Sequence, residues 1–443
     1  MASSAKPEAV GRRSAVGEGA AVELRRHQAV LRPGQTAVLL LVCATVASAA
    51  CTSSAPAGGN RSPYSADTVV QQSVLGEHLS FLNGAAVGFR ATGTREFADA
   101  ATYAALRMGS YGLQPVMQKD FTRFYATSLN FPRGADVRLL SPDTLRLRSG
   151  VDVGTDPRSN ADSLRFDRIF WDPAPGDDVR GLVVAVPESP VSNETLLGLV
   201  DRGARAVLIR GGPVVGPTQA PLTGLTAVRI TPEALRLLLP FPGTVSGSER
   251  RLPVAAEIRT HTEYAPAASA INVVGILTGS DPVLRNELIV VSARLDGPAE
   301  MFVEAPIARF NSGLAAATLL ESARILAELQ RWSHPLDRSV LFALWSGSMQ
   351  ENAGLAAFLK HPPWAREAIF TFVRIRDPGE DDGSARRITE DAGYAYVSVP
   401  SASLARTTDP AGRGESTSRS AVVAETAELV RNVVATVLRL TIE

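Results

Sequence analysis

The stretch from Glu287 to Lys360 constrains the chain more than any other. Leu288-Ile-Val-Val-Ser-Ala293 is an apolar run with β-branched residues, the pattern of a strand buried on both faces. Arg294-Leu-Asp-Gly297 ends it with a charged loop. Asn311-Ser-Gly313 is a polar start signal, and Leu314 to Leu329 follows with dense Ala and Leu. A buried helix is predicted there, with Asn311 or Ser312 near its N-cap. Ser339 to Trp345 reads as a second buried strand, Ser346 to Gly354 as a second polar loop, and a short helix comes next. Two strands joined by such a helix make a parallel, right-handed βαβ unit. Ligands of open α/β sheets sit beyond the carboxyl ends of the strands. The loops 294–313 and 346–354 are therefore expected on one edge, where chemistry would lie.

Further pieces flank this unit. Asn272-Val-Val-Gly-Ile-Leu-Thr-Gly-Ser-Asp281 precedes it, and Arg338 introduces the second strand. Together these residues resemble the co-catalytic zinc aminopeptidases of metallopeptidase family twenty-eight, the family of glutamate carboxypeptidase II. The resemblance implies an α/β fold: a three-layer αβα sandwich with a mixed, mainly parallel central sheet, the phosphorylase/hydrolase-like zinc-peptidase fold, plus a small β-rich inserted domain.

The catalytic positions depart from that pattern. Where the family has His-x-Asp, with a zinc ligand, this chain has Arg294-Leu295-Asp296. Arg309 stands at the bridging Asp, three residues before the Ser-Gly, and Ser348-Met349 at the Glu-Glu pair of base and ligand. Arg374 falls at the Asp ending the next strand, and no His follows His361. Zinc needs nitrogen, sulfur or oxygen donors at about 2.0–2.2 Å for the lighter atoms. A guanidinium has no lone pair to give and stays protonated. A metal-assisted hydrolase also needs a carboxylate base, which neither Ser348 nor Met349 supplies. The expectation is therefore no cofactor, the family's zinc site being lost. The triplet Arg294-Leu-Asp296 also resembles that of nicastrin, a degenerate relative that acts as a substrate-gating ectodomain.

Composition narrows the function classes. The chain has 443 residues, 45 basic and 45 acidic, for a formal net charge of zero. With no basic stripe interleaved with aromatics, nucleic acid is not an expected partner. The five histidines (His27, His78, His261, His334, His361) are scattered, and no pair has helical ligand spacing. Cys43 and Cys51 lie near the N-terminus, so the mature fold has no internal disulfide.

In chain order, residues 1–35 are basic and polar, and Thr36 to Ala50 is an apolar run ending in small residues. That order reads as an export signal over residues 1–50. Ala49-Ala50-Cys51 resembles a bacterial lipobox, although Ser48 stands where the pattern prefers Leu or Val. Cys51 is thus the lipidation candidate, anchoring an exported protein to the membrane of the bacterial cell envelope. The alternatives are an ordinary cleaved signal and an uncleaved anchor. Residues 51–65, rich in Ser, Gly, Ala and Pro, read as a flexible tether. Segments 66–115 and 255–443 are assigned to the peptidase-like domain. Helices are expected over Val69–Leu82 and Glu96–Tyr111, two strands over 255–277, and a closing amphipathic helix over Ala421–Leu440. Segment 116–254 alternates short β-rich pieces with turns and resembles the protease-associated domain inserted in this family, which forms a lid or platform beside the active-site edge; the alternative is a divergent extension of the sheet.

Two readings of function follow. In the first, the chain is a catalytically inactive binding or scaffolding module for peptides or proteins. Its altered pocket would be built from Arg294, Asp296, Arg309, Asn311, Ser348, Glu351 and Arg374. Guanidinium groups beside a helix N-terminus favour an anion such as a peptide carboxylate. Asp296, Glu300, Glu304 and Glu351 would instead neutralise the arginines if the pocket is a closed salt-bridge network. In the second, the chain is an active metal-dependent aminopeptidase with unrecognised ligands, or a hydrolase using Ser348. Ser346-Gly-Ser348 lacks the following x-Gly of a nucleophile elbow.

Overall fold

Two strands of unusual length carry the whole sheet. The computed structural model describes residues 70–84, 87, 90–116, 119–140, 144–187, 191–214, 216–218, 220–238, 250–297, 313–332, 335–348, 350–378, 380–400 and 419–442. The elements in order are α1 (Gln72–Leu82), α2 (Arg95–Tyr111), β1 (Gln114–Pro115), β2 (Thr122–Leu139), β3 (Leu145–Leu147), β4 (Val153–Thr155) and β5 (Asp162–Trp171). Next come β6 (Val183–Val186), α3 (Asn193–Asp201), β7 (Ala206–Arg210), β8 (Ala227–Ile230), α4 (Pro232–Leu238) and β9 (Arg251–Leu277). The last part holds β10 (Leu288–Arg294), α5 (Leu314–Arg331), β11 (Ser339–Trp345), α6 (Ala353–Lys360), β12 (Ile369–Arg376), α7 (Gly383–Asp391), β13 (Tyr396–Pro400) and α8 (Arg419–Ile442).

Among the described residues, thirteen strands form one sheet along the path β13-β12-β10-β11-β9-β5-β6-β7-β8-β4, with β1, β2 and β3 paired beside it. The two strands expected over 255–277 are in fact one, β9, of 27 residues. It runs antiparallel to β2, from Thr122↔Val273 to Leu139↔Ala256. The C-terminal end of β9 pairs with β11 and its N-terminal end with β5. This ribbon joins two sheet halves. In one, β13, β12, β10 and β11 are mutually parallel; in the other, β5, β6, β7 and β8 are.

Helices cover both faces of the first half. α5 is buried from Leu314 to Ala327 and packs on β10 and β12, with α1, α2 and α8 against it. Its Ala-rich start lets the helix lie close to the sheet, and Leu319, Leu320 and Leu326 are fully buried. The opposite face is an apolar core in which Val290, Leu341, Trp345 and Phe372 meet Leu355 and Phe358 of α6 and Ala385 of α7. α2 starts at Thr94, whose hydroxyl accepts from the Phe97 N–H, and stops at Gly112, in the left-handed region at φ 90°.

The second half has cores of its own. Val184, Val207 and Ile209 pack with Leu196 and Leu199 of α3 on one face. Val183, Leu208 and Val228 pack with Leu235 and Leu238 of α4 on the other. No helix among the described residues is long and apolar enough to cross a membrane. Cys51, Arg309 and Asn311, together with Glu300, Glu304, Ser312 and Met349, lie outside the described residues.

Candidate functional site at the carboxyl edge

The parallel order β12-β10-β11 brings the ends of three buried strands to one edge. Register places Arg294 opposite Trp345 and Ser292 opposite Arg374. Both loops after β10 and β11 sit there, tied by the Leu295 N–H donating to the Trp345 carbonyl at 2.8 Å.

Asp296 is the clamp between these loops. It is buried and accepts three hydrogen bonds: from Ser348 Oγ at 2.6 Å, the Ser348 N–H at 2.8 Å and Thr92 Oγ1 at 3.1 Å. Thr92 Oγ1 in turn accepts from the Gly347 N–H at 2.7 Å. Ser348 therefore spends its proton on a carboxylate with no imidazole between them, which is not the arrangement of an activated nucleophile. Arg90, fully buried, donates through Nε to the Leu295 carbonyl at 2.5 Å and through Nη1 to the Leu82 carbonyl at 2.6 Å. Burial pushes its pKa down to about 10, so it keeps its charge at neutral pH.

Among the described residues, Asp377 and Glu380 are the carboxylates that pair with the arginines, and neither was among those expected. Arg294 Nε lies 3.1 Å from Asp377 Oδ2, and Arg374 Nη2 donates to Glu380 Oε1 at 2.8 Å. Glu380 Oε2 also accepts the Asp377 N–H at 2.9 Å, joining the two pairs. Asp377 Oδ1 accepts the Ala315 N–H at 2.9 Å. The first turn of α5 is thus satisfied by a residue 62 positions away, while its N-cap is Gly313 with no side-chain cap. Glu351, expected to neutralise the arginines, is exposed at φ 55° and takes no part. Burial pushes the Asp377 carboxyl up, against the lowering pull of Arg294, while Arg294 is held above the ordinary arginine range because Asp377, Glu380 and Asp296 together outweigh its own burial. The Arg294 guanidinium stays charged, because Asp377 lies against it and the fields of Glu380 and Asp296 act in the same direction. Arg374 is 1% exposed, and its Nε and Nη1 have no hydrogen-bond partner among the described residues.

A second layer supports the loop after β11. Ser346 N–H and Oγ both donate to Asn272 Oδ1, at 3.1 and 3.2 Å, and Asn272 Nδ2 donates to the Gly354 carbonyl at 2.9 Å. A Cβ at Gly354 would collide with Asn272 Oδ1 and the Ser346 carbonyl, so only glycine fits. Tyr125 OH shares a hydrogen bond of 2.8 Å with Ser346 Oγ. Gln350 Nε2 donates to the Pro217 carbonyl at 2.6 Å, so the segment 116–254 touches this edge. Asn272, Thr92, Asp377 and Glu380 are the site residues that the sequence reading missed. The acidic pair sits in Asp377-Pro-Gly-Glu380, directly after β12, and that position was the available signal.

No family model matches the sequence, and no curated protein matches it. Solved structures share the fold. A zinc aminopeptidase from Bacillus subtilis is 14% identical with a TM-score of 0.58, covering 84% of this chain and 95% of its own. An aminopeptidase from Aneurinibacillus sp. strain AM-1 is 14% identical with a TM-score of 0.52, covering 83% and 94%. A Peptidase M28 precursor from Shewanella amazonensis SB2B is 14% identical with a TM-score of 0.50, covering 84% and 93%. The α/β sandwich with its mixed, mostly parallel sheet is the fold of these three structures.

These neighbours overturn the expectation that the chain takes no cofactor, because two proteins of this fold are aminopeptidases and one is named for its zinc. The described residues alone do not fit a zinc pair. Among them, no three His, Cys, Asp or Glu side chains come together as a metal group. Asp296, Asp377 and Glu380 are each engaged by hydrogen bonds or a guanidinium.

Proposed function

We propose that the chain is a divergent, nicastrin-like relative of metallopeptidase family twenty-eight that binds peptides or proteins without cleaving them. One observation carries this reading. At the carboxyl edge, Arg294 faces Asp377 and Arg374 faces Glu380, and Asp296 accepts from Ser348 and Thr92. No carboxylate among these is left unengaged to take a proton from an attacking water, and a general base must reach that proton within hydrogen-bond distance. In this reading the export signal and a lipid on Cys51 hold the module at the bacterial cell envelope, and the segment 116–254 forms a platform at the edge through Gln350 and Pro217.

A second reading is favoured by the fold's solved bearers: a zinc-dependent aminopeptidase with unrecognised ligands. Turnover of aminoacyl p-nitroanilides by the purified chain, with and without added zinc, separates the two. The binding reading expects a rate equal to that of buffer with the same zinc. A zinc-dependent rate that a chelator abolishes and zinc restores establishes the second.

A further inference from the structure

Beside the carboxyl edge, under the far end of α6, lies a cavity of about 320 Å³. Arg123, Phe124 and Tyr125 of β2 line it, with Phe358 and Lys360 of α6 and His361 just beyond. We propose that this cleft anchors a carboxylate carried on an aromatic or branched apolar group, as at the C-terminal residue of a peptide. It is distinct from the Arg294–Asp377 cluster, and its occupancy does not depend on whether that edge cleaves peptides.

Charge points to an anion. Arg123 and Lys360 face the cleft, and no Asp or Glu among the described residues lines it. Arg123 is half-buried. Its Nη2 donates to the His361 carbonyl over a long 3.4 Å, and its buried Nη1 has no hydrogen-bond partner among the described residues. The guanidinium carbon lies 5.9 Å from the Phe358 ring centroid, so the ring backs one side of the planar fork. An unmet guanidinium N–H in a partly dry setting is costly, and a carboxylate meets it with a short, charge-assisted bond. Burial pulls the pKa of Arg123 below the ordinary arginine range, the direction that a bound anion would reverse.

Shape and field select the anion. Tyr125 OH and both ends of the Asn272 amide are occupied by Ser346 and Gly354, so they form a floor and do not compete for the ligand. Phe124, 63% exposed, and Phe358 form apolar walls. The volume suits a single residue, at the small end of ligand pockets, roughly 300–1,000 Å³. The cleft flanks the carboxyl end of α6, where the helix field opposes negative charge. That favours a singly charged carboxylate on an apolar body over a doubly charged phosphate.

The test is calorimetric titration of the full chain with N-acetyl-L-phenylalanine, its amide and inorganic phosphate. The acid is expected to bind with a Kd at or below about 1 mM, and the amide at least about tenfold more weakly. Arg123→Gln is expected to weaken the acid about tenfold or more, and Lys360→Gln, at an exposed position, to weaken it severalfold without disturbing the fold. Equal binding of acid and amide overturns the proposal, as does acid binding unchanged in both variants. Phosphate binding as tightly as the acid assigns the cleft to simple anions and overturns the apolar part. If Arg123→Gln does not fold, the acid-to-amide ratio and Lys360→Gln decide.

Discussion

Asp377→Ala is expected to lower stability by about 3–5 kcal/mol, the usual cost of removing one partner from a buried ion pair. The variant leaves Arg294 without its nearest carboxylate and the Ala315 N–H of α5 without its acceptor. Glu380 keeps both of its bonds, because the N–H it accepts from residue 377 is backbone and its pairing with Arg374 is untouched. Asp377→Asn keeps an acceptor for α5 but drops the charge, so an intermediate loss is expected. Replacing both partners, Arg294→Met with Asp377→Leu, is expected to recover most of the loss or to exceed the parent. The burial that raises the Asp377 pKa is the same desolvation cost that two apolar side chains avoid. Urea unfolding of the parent, both single variants and the double variant reads these differences directly. A loss under about 1 kcal/mol in Asp377→Ala would place the pair in solvent-like surroundings.

Acid is expected to destabilise the fold through His78. This residue is fully buried between two tyrosines, with Nδ1 2.7 Å from Tyr103 OH and Nε2 2.9 Å from Tyr111 OH. Burial, with smaller contributions from Arg107 and Arg324, lowers its pKa from 6.5 to about 3. A neutral ring fits this chain, one nitrogen donating and the other accepting. The folded state therefore binds fewer protons than the unfolded state between pH 6.5 and about 3. Stability is fully present above pH 6.5 and falls as pH drops through that window, by up to about 1.4 kcal/mol per pH unit. At pH 4.5 the loss from this histidine is roughly 2–3 kcal/mol. The parent and His78→Phe, unfolded in urea at pH 7.5 and pH 4.5, isolate the contribution. The variant is expected to be weaker at pH 7.5, because two hydroxyls lose a partner, and to lose less on acidification. Parallel pH profiles would mean that His78 is not buried as a neutral ring.

The βαβ unit was legible because its signals are local. The apolar run at 288–293 and the Ala-rich helix after Gly313 each name their element, and loop length forces the parallel order. Arg294, Asp296, Ser348 and Arg374 could be placed on one edge from strand ends alone. What closes around them was not legible. Asp377 and Glu380 are an ordinary charged turn until β12 is known to lie directly beside β10. Asp296 reads as a companion of the arginines, yet its partners are Ser348 and Thr92, the latter from a loop some 200 residues earlier. The β2–β9 ribbon was missed for a different reason. Pro132, Pro266 and the Ala- and Ser-rich stretch around 265–270 look like breaks, but a half-exposed antiparallel ribbon tolerates them where a buried strand would not.

The central proposal, binding without cleavage, is tested most directly by following a peptide's fate on the protein. An unblocked peptide with a C-terminal phenylalanine, incubated overnight with a molar excess of the zinc-supplemented chain and analysed by mass spectrometry, is predicted to be retained in complex at full length. Recovery of that peptide shortened from its amino end, in a zinc-dependent and chelator-sensitive way, would contradict the account.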